Sequence, residues 1–231
     1  MSPRYAVYFA PGKDSPWWAF GSRWLGRDEC QNIPLSQPPL PPFTPDELRD
    51  ITAPPRRYGF HATLKAPFYL SDGLTADHLL ARLQALAVTL KSVALGPMQV
   101  STLGDFVALR PITPPEDLAV LAASCVTALD HLRAPLSQTD LARRQEEHLT
   151  ARERTLLLQY GYPYVLDLFR FHFTLSGPLP WPVAQQVQQA LADPVARLNA
   201  TTPLVLDRLC LFVEPATGQP FQRLADMELA T

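Results

Sequence analysis

Tyr58-Gly59-Phe60-His61-Ala62-Thr63-Leu64-Lys65 and Phe169-Arg170-Phe171-His172-Phe173-Thr174-Leu175-Ser176 are two versions of one stretch. Each reads aromatic, His, any residue, Thr, Leu, and each meets a proline soon after, Pro67 or Pro178. Short apolar-rich runs bounded in this way read as β-strands. Alternate residues of a strand share a face. His61 and Thr63 therefore point one way, and Phe60, Ala62 and Leu64 the other. In the second copy His172 and Thr174 oppose Phe171, Phe173 and Leu175. One face is built to pack and the other is left for chemistry.

Around these strands the pattern supplies further elements. Arg4 to Ala10 alternates as a strand and ends at Pro11-Gly12. Residues 13–43 show no period and read as a long loop packed by Trp17, Trp18 and Trp24. Thr44-Pro45-Asp46-Glu47 is a capping box with proline at the first helical position, opening a helix to about Asp50. Leu79, Leu80, Leu83, Leu86, Ala87 and Leu90 fall at helical spacing and predict a helix over 75–91. Strands are expected over 99–103 and 106–111, around the Gly104-Asp105 turn. Thr113 to Glu116 caps a helix reaching about His131. Residues 134–161 read as a polar helical insert, with a cap at Thr150 and a stop at Gly161. Trp181-Pro182 opens a helix that Pro194 should kink or end. Strands over 204–213 and 221–229 complete the chain.

The two halves repeat in the order β-α-β(His)-α-β, and equivalent elements lie 102 to 111 residues apart. A period this long marks a duplicated supersecondary unit rather than a solenoid. The expected fold is α+β: a duplicated β-α-β-α-β unit forming two pseudo-symmetric lobes, with antiparallel sheets facing a central cleft and helices outside. Residues 1–231 then make one bilobal domain, from repeats over about 4–103 and 106–229. A pseudo-twofold between them sets the two His-x-Thr faces across one cleft.

Composition narrows the partners. The chain has 231 residues, 47% hydrophobic, enough for a substantial core. With 20 basic and 22 acidic residues its net charge is −2, so long nucleic acid held by its phosphates is not an expected partner. A small phosphorylated substrate at a local basic spot is. Three scattered cysteines, Cys30, Cys125 and Cys210, form neither a disulfide framework nor a zinc motif and suit a reducing cytoplasm. No signal peptide or apolar membrane span is read, so a cytoplasmic protein is expected. The oligomeric state is left open.

Two facing imidazoles suit in-line displacement at phosphorus, which needs a base beside the attacking oxygen and an acid beside the leaving one. Histidine titrates near neutrality, so one ring can be neutral while the other is protonated. Thr63 and Thr174, one strand step along, can donate to non-bridging phosphoryl oxygens. This chemistry calls for no metal or other cofactor. Strict alternation adds Lys65 to the His61 face. Arg170 and Ser176, on the parity of His172 and Thr174, join it as candidate substrate contacts, and Tyr58, on the opposite parity to His61, is a weaker one. Which histidine is the base is left open.

Paired His-x-Thr-hydrophobic motifs on a duplicated α+β scaffold resemble the 2H phosphoesterase superfamily, which includes RNA 2',3'-cyclic phosphodiesterases and 2'-5' RNA ligase-like proteins. Arg4-Tyr5-Ala6-Val7-Tyr8-Phe9-Ala10-Pro11, Trp24-Leu25-Gly26-Arg27-Asp28 and the two His stretches are more closely similar to the phosphonate metabolism protein family within it, over nearly the whole chain. The resemblance implies that His61 and His172 are the acid–base pair, that Thr63 and Thr174 contact phosphate, and that the substrate is a sugar cyclic phosphate such as phosphoribosyl 1,2-cyclic phosphate. An RNA-end or nucleotide 2',3'-cyclic phosphodiesterase and a non-catalytic phosphate-binding module are the competing readings. A lone His-x-Thr carries little: His148-Leu149-Thr150 lacks the following large apolar residue, and its Thr reads as a helix cap. His78 and His131 read as solvated helix residues. The in-register repeat is what separates His61 and His172 from them.

Overall fold

Seven strands form one antiparallel sheet in a computed structural model that describes residues 2–138, 140–141 and 148–230. They are β1 (Arg4–Phe9), β4 (Ala62–Phe68), β6 (Met98–Leu103), β7 (Phe106–Pro111), β8 (Phe173–Pro178), β10 (Arg208–Glu214) and β11 (Gln222–Glu228), in the order β11-β10-β1-β4-β8-β7-β6. Two short ribbons pair β2 (Arg27–Asp28) with β3 (Ile33–Pro34) and β5 (Val93–Ala94) with β9 (Val205–Leu206). The sheet halves meet through one residue pair, Ala62 with Phe173. Its two sides mirror the duplication with an exchange. β1 and β4 of the first repeat take β10 from the second, while β7 and β8 of the second take β6 from the first.

Helices α1 (Pro16–Leu25), α2 (Pro45–Arg56), α3 (Ala76–Ala87), α4 (Glu116–Leu129) and α6 (Trp181–Thr201) contribute to the main core on one sheet face, with α5 (Ala151–Tyr160) packed to one side. Period-2 patterning drives this arrangement. Tyr5, Val7 and Phe9 of β1 join the main core, whereas Ala6, Tyr8 and Ala10 face a separate aromatic cluster with Phe212 and Phe221. Phe60, Ala62, Leu64, Phe171, Phe173 and Leu175 are all buried, as their parity requires. Phe60 and Phe173 stack at 4.6 Å across the pseudo-twofold. Full burial of each such ring contributes about 1.5–3 kcal/mol.

The chain departs from the sequence expectations at several points. The long loop expected over 13–43 contains α1. Ser15 caps it by accepting from the Trp17 amide at 3.2 Å, Pro16 opens it, and Gly26 closes it at φ 72°. Trp17 and Trp24 are buried from this helix rather than from a loop, and a side chain at Gly21 would occupy the Phe60 ring. α2 runs through Pro54 and Pro55 to Arg56, past the expected stop at Asp50. α6 continues past Pro194 to Thr201. Of the expected helical insert, 134–137 are non-helical and Ala151–Tyr160 is helical, while 139 and 142–147 lie outside the described residues. Thr150 does cap α5 through a reciprocal pair with Glu153, which accounts for the Thr of the decoy motif. Among the described residues no helix is long and apolar enough to cross a membrane.

Candidate active site

The register at Ala62–Phe173 builds the site. In an antiparallel pair it brings His61 opposite Thr174 and Thr63 opposite His172, with the pseudo-twofold between them. All four side chains line one open cleft of about 1080 Å³. Each histidine sits just before its strand and is tied in the same way. His61 Nδ1 lies 3.0 Å from the Gly59 carbonyl and His172 Nδ1 lies 2.7 Å from the Arg170 carbonyl. A carbonyl can only accept, so Nδ1 carries the proton and Nε2 of each neutral ring holds the lone pair. Thr63 Oγ1 stands 3.4 Å from His61 Nε2, a long contact that a bound phosphoryl oxygen can replace. Gly59 holds φ at 80°, which aims its carbonyl at His61 and brings its backbone against Glu29.

The two rings have different surroundings. His61 stacks on Tyr8 at 3.9 Å and lies beside Tyr58 and Phe212. Burial in this aromatic box pushes its pKa down to about 4, with a smaller contribution from His172. His172 neighbours Phe106. Its pKa is also lowered, first by burial, against which the Arg170 carbonyl works, and then by the charge of Arg110. Arg110 was not singled out by the sequence, which carries no signal of cross-strand register. Leu109 pairs with Phe173, so Arg110 falls opposite His172. Its Nε and the Ser101 hydroxyl are buried side-chain atoms with no hydrogen-bond partner among the described residues. Replacing Arg110 with methionine is expected to raise the His172 pKa, read by NMR titration of the ring. An unmoved titration would remove Arg110 from the electrostatics of the site.

Two candidates from strict alternation do not reach the cleft. Tyr8 pairs with Thr63 but Val7 pairs with Lys65, so β4 carries an extra residue at Leu64. This β-bulge turns Lys65 onto the helix side. There it is 3% exposed, and its Nζ donates to the Val126 carbonyl and Asp130, both at 3.2 Å. Ser176 meets the same fate. β8 gains two residues between its pairings with Ala108 and Phe106. Buried Ser176 accepts from the Val107 amide at 2.9 Å and donates to the Gly177 carbonyl. Both copies thus shift register after the Thr. Arg170 lines the cleft and is exposed. Tyr58 lines it too, because the left-handed turn at Gly59 breaks the parity that set it against His61. His148 is exposed, and His78 closes the cap of α3 through Thr75. Among the described residues no group of three or more His, Cys, Asp or Glu converges as metal ligands would.

Fold and site together define a duplicated α+β protein with two His-x-Thr motifs in one cleft. The chain belongs to the family described as "Protein of unknown function (DUF1045)", whose model matches residues 63–222. It is 41% identical over 221 residues to a protein of Janthinobacterium sp. (strain Marseille) named ribose 1,5-bisphosphate phosphokinase PhnN. That match covers 94% of this chain and 49% of the relative. A protein of the same name from Laribacter hongkongensis (strain HLHK9) is 37% identical over 95% of this chain and 50% of its own length. The chain therefore spans about half the length of these curated relatives. Among solved structures it aligns over the whole of both chains with a phosphoesterase (TM-score 0.43, 14% identity) and with E. coli LigT complexed with 3'-AMP (TM-score 0.44, 14% identity).

Proposed function

We propose that this chain is a phosphodiesterase that opens a small cyclic phosphate by paired-histidine acid–base catalysis. The observation that carries this reading is the matched tethering of His61 and His172, each Nδ1 held by the carbonyl two residues back, beside opposed threonines in one cleft. His61, enclosed by aromatic rings and neutral to low pH, is the base. Its Nε2 takes a proton from water as the water oxygen bonds to phosphorus. The opposite P–O bond breaks, and protonated His172 delivers its Nε2 proton to the departing oxygen. The product is a phosphomonoester, and proton exchange with solvent resets both rings. Thr63 and Thr174 donate to the non-bridging oxygens as charge builds there.

The relatives' names bear on the substrate. This chain has no G-x-x-x-x-G-K-[ST] phosphate loop, so kinase chemistry is not read from it. Opening the 1,2-cyclic phosphate of a 5-phosphorylated ribose at the O2–P bond leaves phosphates at O1 and O5. That product is ribose 1,5-bisphosphate, the compound in the relatives' name. A phosphoribosyl 1,2-cyclic phosphate is therefore the proposed substrate.

A panel of cyclic phosphates assayed in EDTA tests the proposal. Phosphoribosyl 1,2-cyclic phosphate is expected to turn over faster than 2',3'-cyclic AMP. The reverse order would move the assignment to nucleotide or RNA ends, and a steep loss with salt would strengthen that move. Binding without turnover of any ester would leave a phosphate-binding module and end the enzyme reading.

A further inference from the structure

The cleft holds a second built feature away from the histidines. Arg4 and Arg57 both line it, and both are fastened to one carboxylate, Glu214, whose side chain is fully buried. Arg4 Nε donates to Glu214 Oε2 at 2.5 Å, Arg57 Nη2 donates to Oε1, and the Gly218 amide donates to Oε1 at 2.9 Å. Burial opposes the charge on Glu214, yet these three donors outweigh it and hold its pKa below the usual carboxylate range. The group carries two positive charges against one negative and leaves a net cation facing the cleft. Each guanidinium is also supported by a ring: Arg4 lies 5.8 Å over Phe221 and Arg57 lies 5.6 Å over Tyr58. Among the described residues Arg4 Nη1 and Nη2 and Arg57 Nη1 have no hydrogen-bond partner within the chain.

Aromatic rings connect the two arginines to the reaction centre. Phe221 stacks on Tyr58 at 5.0 Å, and Tyr58 lies 5.9 Å from His61. Two aromatic rings, Tyr58 lining the cleft and Phe221 buried behind it, thus link the arginines to the proposed base. Arg4 shares a strand face with Tyr8 four residues on, about 13 Å between Cα atoms at the usual strand rise, and Tyr8 stacks on His61.

We propose that Arg4 and Arg57, oriented by Glu214, form a subsite for a phosphomonoester at the far end of the sugar from the cyclic ester. The inference rests on the phosphodiesterase reading for its substrate but not for its test. Arg57 is the residue to change, since Arg4 and the Gly218 amide still neutralise the buried carboxylate without it. Arg57→Gln is expected to lower the preference for phosphoribosyl 1,2-cyclic phosphate over its 5-dephospho analogue roughly tenfold in kcat/KM, the scale of one lost charge-assisted hydrogen bond. Calorimetry with ribose 5-phosphate, which has no ester to cleave, should show a similar weakening, and Arg57→Lys should restore part of it. An unchanged preference and equal ribose 5-phosphate binding by wild type and Arg57→Gln would overturn the subsite. If wild type cleaves neither ester but binds ribose 5-phosphate in an Arg57-dependent way, the subsite stands and the phosphodiesterase reading falls. If it neither cleaves nor binds, both fall.

Discussion

His61→Ala and His172→Ala are each expected to lower kcat/KM for the cyclic ester by roughly 10²–10⁴-fold, the range for loss of a positioned general acid or base. Under the proposed mechanism the loss should sit mainly in kcat, because the imidazoles are assigned the proton transfers and the arginines and threonines the phosphate contacts. The double variant should be little worse than the weaker single one. Once either proton transfer fails, the other imidazole has no concerted step to assist. Steady-state kinetics, with circular dichroism to confirm folding, checks all three variants. His61 stacks on Tyr8, so His61→Gln, which keeps more of that packing, separates lost chemistry from a collapsed pocket. A single variant within threefold of wild type would remove that histidine from the reaction.

The sequence was most legible where local pattern and tertiary face coincide. Phe60, Ala62 and Leu64 alternate with His61 and Thr63, and all three apolar side chains are buried. The second copy repeats this, so the paired motif located the cleft. Legibility failed at backbone irregularities. Lys65 and Ser176 have the right spacing, but a register shift after each Thr turns Lys65 to the helix side and ties Ser176 to the backbone of its own sheet. Tyr58 was set against His61 by alternation until the positive φ at Gly59 returned it to the cleft. α1 gives no leucine-type stripe to the sequence pattern, since its large buried side chains are Trp17, Trp24 and Leu25 and its cap is a single serine. Arg4 and Glu214 lie 210 positions apart and meet only because β10 of one repeat pairs with β1 of the other. No local pattern contains that pairing. The exchange that completes each sheet half also places the Glu214 carboxylate beneath the arginines.

The pH dependence should expose the difference between the two histidines. In the free protein the pKa of His61 is about 4, and that of His172 lies below the ordinary histidine value. Under the proposed assignment the active form has His61 neutral and His172 protonated. That form dominates above about 4 and below the His172 pKa, so kcat/KM should follow a bell centred at mildly acidic pH. It should fall about tenfold per pH unit beyond either limb. A bound phosphate diester is anionic and favours imidazolium, so the alkaline limb of kcat should lie at higher pH than that of kcat/KM. Stability carries the same signature. Unfolded His61 takes up its proton near pH 6.5 and folded His61 only near 4. The stabilisation from keeping this ring neutral is complete above about 6.5 and drains as pH falls toward about 4, by up to about 3 kcal/mol. His61→Ala should therefore flatten the loss of thermal stability across that interval, read as Tm against pH. A kcat/KM profile that rises steadily through neutrality, or a Tm slope unchanged by the substitution, would contradict a buried neutral base at His61.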